Sequence, residues 1–423
     1  MNDGGAGLRL NAAHDHATCS FPRIVIASDD PLRRMTAWSP MTQAQWLRLT
    51  LAIACLLTML ASTPLWTNAR LFPLLPVASW VPVLPAPWDQ AVFIATLGAL
   101  AFVVRFPRIG VTIFLILSLY LVLADQARLQ PWFYMYAIML LLSLAKDSVA
   151  LAGCRFALAA VYVWGGVQKC NGDFFQLVAP WFVKPAAAAL PAFATTALQW
   201  AVAAAPAVEV SIGLGLWFAR TRKVAVIAAF VVHVAALIFL GPLGHGHNWI
   251  IWPWNLVMPA LVLLLFPRTA TAGNWAALRK AGWSLAIVVL FWGLPVLSYF
   301  GKWDSYLSFS LYTGHLTKAD IFISAALRER LPPTLHQFIV QTPAPYNEQL
   351  QGPYVVLVEL WADKILRVPP YPESRAYLNV ARHLASFAAD PNDLRLVLIP
   401  RVGGMLYYRG GDLRPEAGIP LNP

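Results

Sequence analysis

Charged residues are scarce in this chain. Only 12% of its 423 residues are Asp, Glu, Lys or Arg, whereas soluble domains average about 25%. Hydrophobic residues make up 59%, which is more apolar surface than a soluble core hides. The composition therefore excludes an ordinary soluble domain and predicts an all-α polytopic membrane protein. The net charge of +11 does not indicate nucleic acid as a partner, because Lys and Arg cluster at the ends of apolar segments.

The chain has only four cysteines, and no cleavable signal peptide is visible. The segment 302–423 has no Cys, which excludes a disulfide framework there. Cys154 and Cys170 fall at opposite ends of one predicted helix, roughly 24 Å apart and beyond disulfide reach. The first 40 residues contain no apolar signal-peptide core, so the first membrane helix is expected to direct insertion. No metal is predicted, although the N-terminal tail holds a group of His14, His16 and Cys19, which is either a ligand cluster or a chance grouping.

Apolar runs suited to crossing a bilayer follow one another from residue 46. They predict about nine transmembrane helices in a domain at 46–301, after a cytoplasmic tail at 1–45. The runs lie at about 46–66, 89–105, 108–125, 131–146, 154–170, 195–219, 223–241, 248–267 and 280–300. Two connections, 64–88 and 171–194, are predicted to lie on the membrane interface, the second with a short re-entrant or interfacial helix.

The distribution of Lys and Arg predicts the orientation of these helices. With the N-terminus inside, nearly all basic residues fall at cytoplasmic helix ends, as the positive-inside rule requires. The opposite ends carry only Arg70, Arg128, Lys169 and Lys184. We therefore expect a multi-pass protein of a bacterial inner membrane, with lipid around it, a cytoplasmic N-terminus and a periplasmic C-terminus.

The C-terminal segment 302–423 is richer in charge and alternates in polarity. It predicts a small extracytoplasmic α/β domain, and one of the hypotheses below has this domain recruit a protein partner. The predicted elements are strands at Tyr354–Leu360, Leu394–Pro400 and Met405–Tyr408, a helix at Glu373–Ala389, and a hairpin turn at Gly403-Gly404.

Acidic residues are almost absent from the membrane part, and only one lies in the middle of a predicted span, the others being in tails, in loops or at span ends. Glu209 lies mid-helix, where a carboxylate costs several kcal/mol unless it is neutral, paired or facing water. It is either a functional residue or a protonated Glu bonded between helices. His233, in the next helix, falls at a similar depth, so the sequence predicts a Glu209–His233 pair. That pair would serve either proton movement or structure.

Lys169 lies at the end of the fifth predicted span. It follows Gly165-Gly166, a pair of small residues that lets a neighbouring helix or ligand approach closely. Two interpretations of Lys169 stay open. Its amine either extends to the interface or is desolvated and acts as a base.

The stretch from Arg155 to Phe174 resembles the signature helix of the vitamin-K-dependent carboxylase-like membrane family, which includes the horizontally transferred transmembrane domain proteins. The residues that carry the resemblance are Arg155, Tyr162, Gly165, Gly166, Lys169 and Phe174. It implies that Lys169 is a base acting on a lipophilic quinol, and that Glu209 and His233 match family positions. It also implies substrate contacts by Tyr162, Gly165 and Gly166. The segment Pro131–Tyr136 lacks the family's Asn-His pair, so the resemblance implies the fold without carboxylation of glutamate.

The segment Gly244–Asn255 is rich in His and Trp. His245 and His247 are a weak metal signal without further ligands, and an interfacial loop is the alternative. Trp249, Trp252 and Asn255 are candidate contacts to a flat hydrophobic ligand such as a quinone ring, while the Trp side chains also fit an aromatic belt.

These observations lead to three functional hypotheses. The first is a membrane enzyme acting on a lipophilic quinol or a membrane-accessible peptide, with Lys169, Glu209 and His233 as catalytic residues. The second is a non-enzymatic accessory, maturation or export factor that works through 302–423. The third, a transporter, is disfavoured because the sequence has no inverted repeat and no pair of broken helices.

Overall fold

A computed structural model of the chain describes residues 41–187, 189–247, 249–267, 275–279, 281–342, 353–409 and 413–415. Thr42–Pro423 forms one compact unit. Within it, a helical part extends to Phe300 and a part with helices and strands follows. His14, His16, Cys19 and Asn248 lie outside the described residues.

Among the described residues, the helical part contains eleven longer α-helices with short helical turns between them. The longer helices are α1 Gln43–Ala61, α2 Trp88–Phe102, α3 Pro107–Ala124, α4 Pro131–Leu142, α5 Asp147–Val167, α6 Ala179–Ala187, α7 Ala192–Ala203, α8 Ala205–Gly215, α9 Ala219–Leu240, α10 Ile251–Leu265 and α11 Trp283–Gly293. The shorter turns are Thr63–Trp66, Gln126–Arg128, Phe174–Val178, Trp275–Arg279 and Leu294–Phe300, and a further turn, Tyr306–Ser308, follows in the C-terminal part.

Each predicted apolar run overlaps one of these helices or a bent pair of them. Among the described residues, five helical segments are long and apolar enough to cross a membrane: α1, α3, α5, α9 and α11 with its continuation to Phe300. Helices α7 and α8 also meet this criterion together, but they bend by 45° at a break. Helices α2, α4 and α10 are apolar and shorter, at 10–17 residues. The structure is thus mostly helical and compatible with a multi-pass membrane protein.

The outer helices present apolar side chains outward. On α3, Ile109, Ile116 and Leu119 are 58–62% exposed, and on α9 Val224 and Val231 are 69% and 61% exposed. Extended apolar faces of this kind are rare on soluble monomers. By contrast, 78% of the apolar window of α5 is buried, against 22–50% in the other four long segments. Helix α5 is therefore the central helix, and residues near its end lie inside the protein.

The proline-rich connection 64–88 folds onto the helix ends through a buried charge network. Arg70 pairs with Asp125, and Asp125 Oδ1 accepts hydrogen bonds from the backbone N–H groups of Leu75 at 3.2 Å and Ala127 at 3.1 Å. Arg128, 1% exposed, donates to Leu65 O and to Asn68 Oδ1. The network ties the connection to the turn between α3 and α4.

The C-terminal part carries a six-stranded antiparallel sheet. Its elements are β1 Lys318–Ile323, α12 Ala325–Arg330, β2 Ile339–Gln341, β3 Tyr354–Val356, α13 Val358–Leu366, α14 Ser374–Ala385, β4 Leu394–Ile399, β5 Leu406–Arg409 and β6 Arg414–Pro415. The strand order is β2-β3-β1-β4-β5-β6, and all neighbours are antiparallel.

The predicted helix, the strand β4 and the hairpin are confirmed; Gly403 adopts a φ of 107° in that turn. The strand predicted over Tyr354–Leu360 is wrong beyond Val356. Val358, Trp361, Ala362 and Leu366 are fully buried, and their spacing of three to four residues is that of one helix face. Strands β1 and β2 were not predicted.

The C-terminal part docks on one set of helix ends. Arg367 Nη1 donates to Ala61 O at the end of α1, at 3.2 Å. Gln130 Nε2, just before α4, donates to Pro369 O at 3.4 Å, and Arg401 bonds to Gln168 after α5. All these ends lie on the side that the Lys/Arg distribution assigns to the outside.

Replacing Asp125 with Asn is expected to lower the free energy of unfolding by about 3–5 kcal/mol, because two arginines would be buried without a counter-charge. The matched control is Asp147→Asn. Asp147 pairs with Arg48 at 3.1 Å, but its side chain is 53% exposed, so a loss of about 1 kcal/mol or less is expected. Denaturant unfolding in detergent measures both, and equal losses would contradict the role assigned to the network.

Candidate functional site

The site begins with the close packing of α5 against α8. A Cβ added at Gly166 would lie 2.8 Å from Val210 Cγ2, and one at Gly213 would lie 2.8 Å from Ala159 O. Only glycine lets the two backbones approach this closely. The predicted close approach at Gly165-Gly166 is therefore confirmed, and α8 is the neighbouring helix.

This packing places Glu209 against the end of α5. Lys169 Nζ lies 2.8 Å from Glu209 Oε2 and donates a second bond to Gly165 O at 3.0 Å. Gly165 and Lys169 are four residues apart, so they occupy one face of the chain. A Cβ at Gly165 would lie 3.1 Å from Glu209 Oε2. The side chains of Lys169 and Glu209 are only 10% and 14% exposed, so the pair is largely shielded from solvent.

The predicted Glu209–His233 pair is wrong. Both ring nitrogens of His233 have other partners: Nε2 is 2.8 Å from Tyr162 Oη, and Nδ1 is 2.8 Å from Asn255 Oδ1. Similar depth in adjacent helices does not fix which side chains face each other, whereas the glycine contact of α5 with α8 does. Because of that contact, Glu209 meets Lys169 instead.

The Tyr162–His233–Asn255 chain has a defined direction. Asn255 Nδ2 donates to Ile251 O at 2.8 Å, which turns its Oδ1 toward His233 as an acceptor. Nδ1–H of a neutral His233 therefore donates to Asn255, and Nε2 accepts from the Tyr162 hydroxyl. Three helices, α5, α9 and α10, are joined by this chain.

A cavity of about 680 Å³ brings the two polar groups together. Tyr162, Gly165, Lys169, Glu209, His233 and Asn255 all line it. Apolar residues of α7, α8, α9 and α10 form much of the remaining wall, among them Leu198, Val202, Val208, Val232 and Met258. A pocket that is mainly apolar with a few convergent polar groups is typical of a site for a small molecule.

Other sequence candidates fall outside the cavity wall. Gly166 contacts α8, Trp249 is 69% exposed, and Trp252 packs near Gly241. His245 stacks on Trp181 with ring centroids 4.0 Å apart and bonds to its carbonyl oxygen. Within the described ranges, no group of three or more His, Cys, Asp or Glu side chains is placed to hold a metal.

A loop of the C-terminal part, residues 306–314, forms part of the cavity wall, and the part of the wall formed by C-terminal residues is called here the outer end. Tyr306, Phe309, Tyr312, Thr313 and Gly314 all line it. Phe309 and Tyr312 have φ angles of 59° and 53°, a left-handed conformation that costs a non-glycine residue about 1–2 kcal/mol. Packing must compensate this strain, and strained residues of this kind cluster at functional sites.

Two carboxylates of α13 also line the outer end. Glu359 accepts a hydrogen bond from Tyr377 Oη at 3.3 Å, and burial raises the pKa of Glu359 above its usual range. Asp363 has a buried Oδ1 without a hydrogen-bond partner among the described residues. His247 lines the same end, and burial lowers the pKa of His247 more than nearby Asp363 raises it.

Sequence reasoning missed this outer end. Glu359 and Asp363 are four residues apart, a spacing that shares one face of a helix. Because Tyr354–Leu360 was predicted as a strand, the helical spacing of Glu359 and Asp363 was not recognised. Trp132 of α4 also lines the cavity, and no local signal distinguishes it from other aromatic residues of the bundle.

Helix α8 belongs to the one broken span found among the described residues, the 45° bend between α7 and α8. The break lies five residues before Glu209. Transporters of the inverted-repeat type have such breaks at corresponding positions of two halves, and no second bent pair is found in the described ranges.

No protein-family model matches the chain, and neither a curated protein nor a solved structure is similar enough to match it. The carboxylase-like resemblance therefore stays a prediction from sequence. The function is argued below from the cavity and its polar groups.

Replacing Gly166 with Ala is expected to lower the free energy of unfolding by about 1–3 kcal/mol, because the added methyl group overpacks the α5–α8 contact. Gly98 in α2 is the matched control, since a Cβ there meets nothing within 4 Å. Gly98→Ala should stabilise the helix slightly, by about 0.5–1 kcal/mol. Unfolding curves in detergent measure both variants, and unchanged stability of Gly166→Ala would contradict the close packing.

Proposed function

We propose that this protein is an inner-membrane enzyme that binds a lipophilic molecule with an acidic O–H group, such as a quinol or phenol, and removes its proton at the Lys169–Glu209 pair. The observation that carries the proposal is the placement of this buried pair on the wall of a largely apolar cavity. The Tyr162–His233–Asn255 chain supplies a second polar group on that wall.

The buried pair is best treated as one proton-accepting unit. Its net charge is zero either as ammonium and carboxylate or as amine and carboxylic acid. When the substrate O–H bond breaks, the pair takes up the proton. The product state is the same from either start: Lys169 is an ammonium ion, Glu209 is a carboxylic acid, and the substrate is an oxyanion beside the ammonium.

This arrangement modifies the role predicted for Lys169 alone. A lysine that already shares a proton with a carboxylate is not a free base, and its main contribution is to stabilise the substrate oxyanion. Glu209 then provides the place for the proton. The partly buried, water-poor setting strengthens both interactions relative to water.

The helix break beside Glu209 favours access from the membrane. Leu198, Ala201 and Val202 of α7 line the cavity together with residues of α9, and both helices carry apolar side chains facing outward. A lipophilic substrate would enter between them without crossing water.

The proposal includes nine crossings, a cytoplasmic N-terminus and a periplasmic C-terminal part. Two observations support it: the Lys/Arg bias of the connections, and the docking of 302–423 on the ends of α1, α3 and α5 that this bias assigns to the outside. In this arrangement the outer end of the cavity faces the periplasm.

A purely accessory role confined to 302–423 receives less support. Residues of the 306–314 loop and of α13 line the cavity, so truncation after Gly301 would open the site as well as remove a docking surface. Substitutions inside the cavity are therefore the sharper test.

A lipophilic nitrophenol, whose phenolate is coloured, tests the proton transfer without knowledge of the natural substrate. Bound to the full-length protein, its apparent pKa is expected to fall by about one to three units relative to empty detergent micelles, because an ammonium ion lies beside the oxygen. Lys169→Met should abolish the shift. Glu209→Gln should lower the apparent pKa further, because Lys169 loses its own counter-charge.

Lys184→Met is the matched control, since Lys184 is exposed on α6 and does not line the cavity. It should leave the spectrum of the bound probe unchanged. An equal phenolate fraction in Lys169→Met and the unmodified protein would contradict the proposal.

The orientation is tested with alkaline phosphatase, which is active only in the periplasm. A fusion after Pro423 should be active, and a fusion after Arg222, in the first turn of α9, should be inactive. An inactive C-terminal fusion would refute an odd number of crossings.

A further inference from the structure

A second cleft lies between the connection 64–88 and α14, outside the cavity at Lys169. Its volume is about 450 Å³. One wall is formed by Leu74, Pro76, Val77, Ala78 and Ser79, and the other by Gln126, Arg375, Asn379 and Arg382. The last three are spaced four and three residues apart, which places them on one face of α14. The two cavities have no lining residue in common, so the cleft is a separate candidate site.

The polar side chains of this cleft have donors to spare and few acceptors. Gln126 Oε1 accepts a hydrogen bond from Arg375, and Asn379 Oδ1 accepts one from Arg382 Nη1 at 2.9 Å. Both amide oxygens are therefore in use. The other nitrogens of Arg382, the amide nitrogen of Asn379 and the Ser79 hydroxyl form no hydrogen bond with any described residue. A ligand that satisfies these groups must accept hydrogen bonds, as phosphate and carboxylate oxygens do.

The cleft is also positively charged. Arg375 is neutralised by Asp304, whose Oδ1 accepts from its Nη1 at 3.0 Å. Arg382 has no ion-pair partner within 4 Å in the part of the chain that the structure describes. Among the described residues, no Asp or Glu lines the cleft. Arg382 therefore leaves a positive charge for a ligand, and its planar guanidinium suits phosphate oxygens.

The wall opposite α14 carries apolar side chains that face outward. Val77 is 48% exposed, and Trp80, which follows Ser79, is 77% exposed. The backbone N–H of Val77 donates to Leu123 O in the last turn of α3 at 2.9 Å, so this wall lies at the level of the outer helix ends. Trp side chains favour the boundary between lipid head groups and acyl chains. An anion that also has apolar chains matches both features of the cleft, whereas a soluble anion matches only its charge.

We infer that this cleft binds the head group of an anionic phospholipid of the outer leaflet. The phosphate lies at Arg382, Asn379 and Ser79, and the acyl chains run past Val77 and Trp80. Through α14, the lipid holds the C-terminal part against the membrane surface. The inference takes from the proposed function only the membrane placement and the orientation of the chain, and it is independent of proton transfer at Lys169.

Native mass spectrometry of the full-length protein tests the inference, because it resolves the binding of individual lipids. The probes are dioleoylphosphatidylglycerol and dioleoylglycerol, which has the same chains and no phosphate. The unmodified protein should bind the phospholipid about fivefold or more tightly. Arg382→Gln should weaken binding of the phospholipid about fivefold, the effect expected for one basic residue at a membrane surface. Its affinity for dioleoylglycerol should stay the same, which serves as the control for folding.

Two further variants complete the test. Arg330→Gln is the matched control, since Arg330 is 47% exposed, lies 3.9 Å from Asp393 and does not line the cleft. It removes the same charge and should change neither affinity. Trp80→Ala should weaken binding of both lipids alike, because an apolar contact with the chains is lost.

Equal affinity of the unmodified protein for the two lipids would overturn the inference, and so would unchanged binding of the phospholipid by Arg382→Gln. Unchanged binding of both lipids by Trp80→Ala would overturn the phospholipid as the occupant and favour a soluble anion. Arg382 does not line the cavity at Lys169, so Arg382→Gln should leave the spectrum of the bound nitrophenol unchanged. Failure of either proposal is therefore recognised separately from failure of the other.

Discussion

The contact between α5 and α8 determines where the buried Lys169–Glu209 pair is placed. Gly166 and Gly213 let the two backbones meet, and any side chain larger than hydrogen at either position would separate them. Only at this distance does Glu209, on α8, reach Lys169, which follows α5. Helix α5 is also the most enclosed of the long helices. A small-residue contact in the middle of an apolar bundle thus fixes a charged pair that the bundle alone would disfavour.

The cost of burying polar groups explains the rest of the arrangement. Asp125 is satisfied by Arg70 and two backbone N–H groups, and His233 has partners at both ring nitrogens. These networks are closed, as structural networks usually are.

The sequence predicted the features that depend on composition and on the spacing of apolar residues. Apolar runs identified the helices, and the Gly165-Gly166 pair identified a close helix contact. Ionisable side chains are rare in such helices, which made three of them candidate site residues: Lys169, Glu209 and His233. The pairing among them was not predictable, since it depends on which helix faces which. Neither was the outer end, because Glu359 and Asp363 come together only when Val358–Leu366 forms a helix, and because the 306–314 loop reaches the cavity through tertiary packing.

The C-terminal part is therefore a component of the site as well as an appended domain. It closes the cavity with a loop that holds Phe309 and Tyr312 in left-handed conformations, and such strain persists only where packing enforces it. It also brings acidic groups to a cavity whose membrane part has a single carboxylate, Glu209.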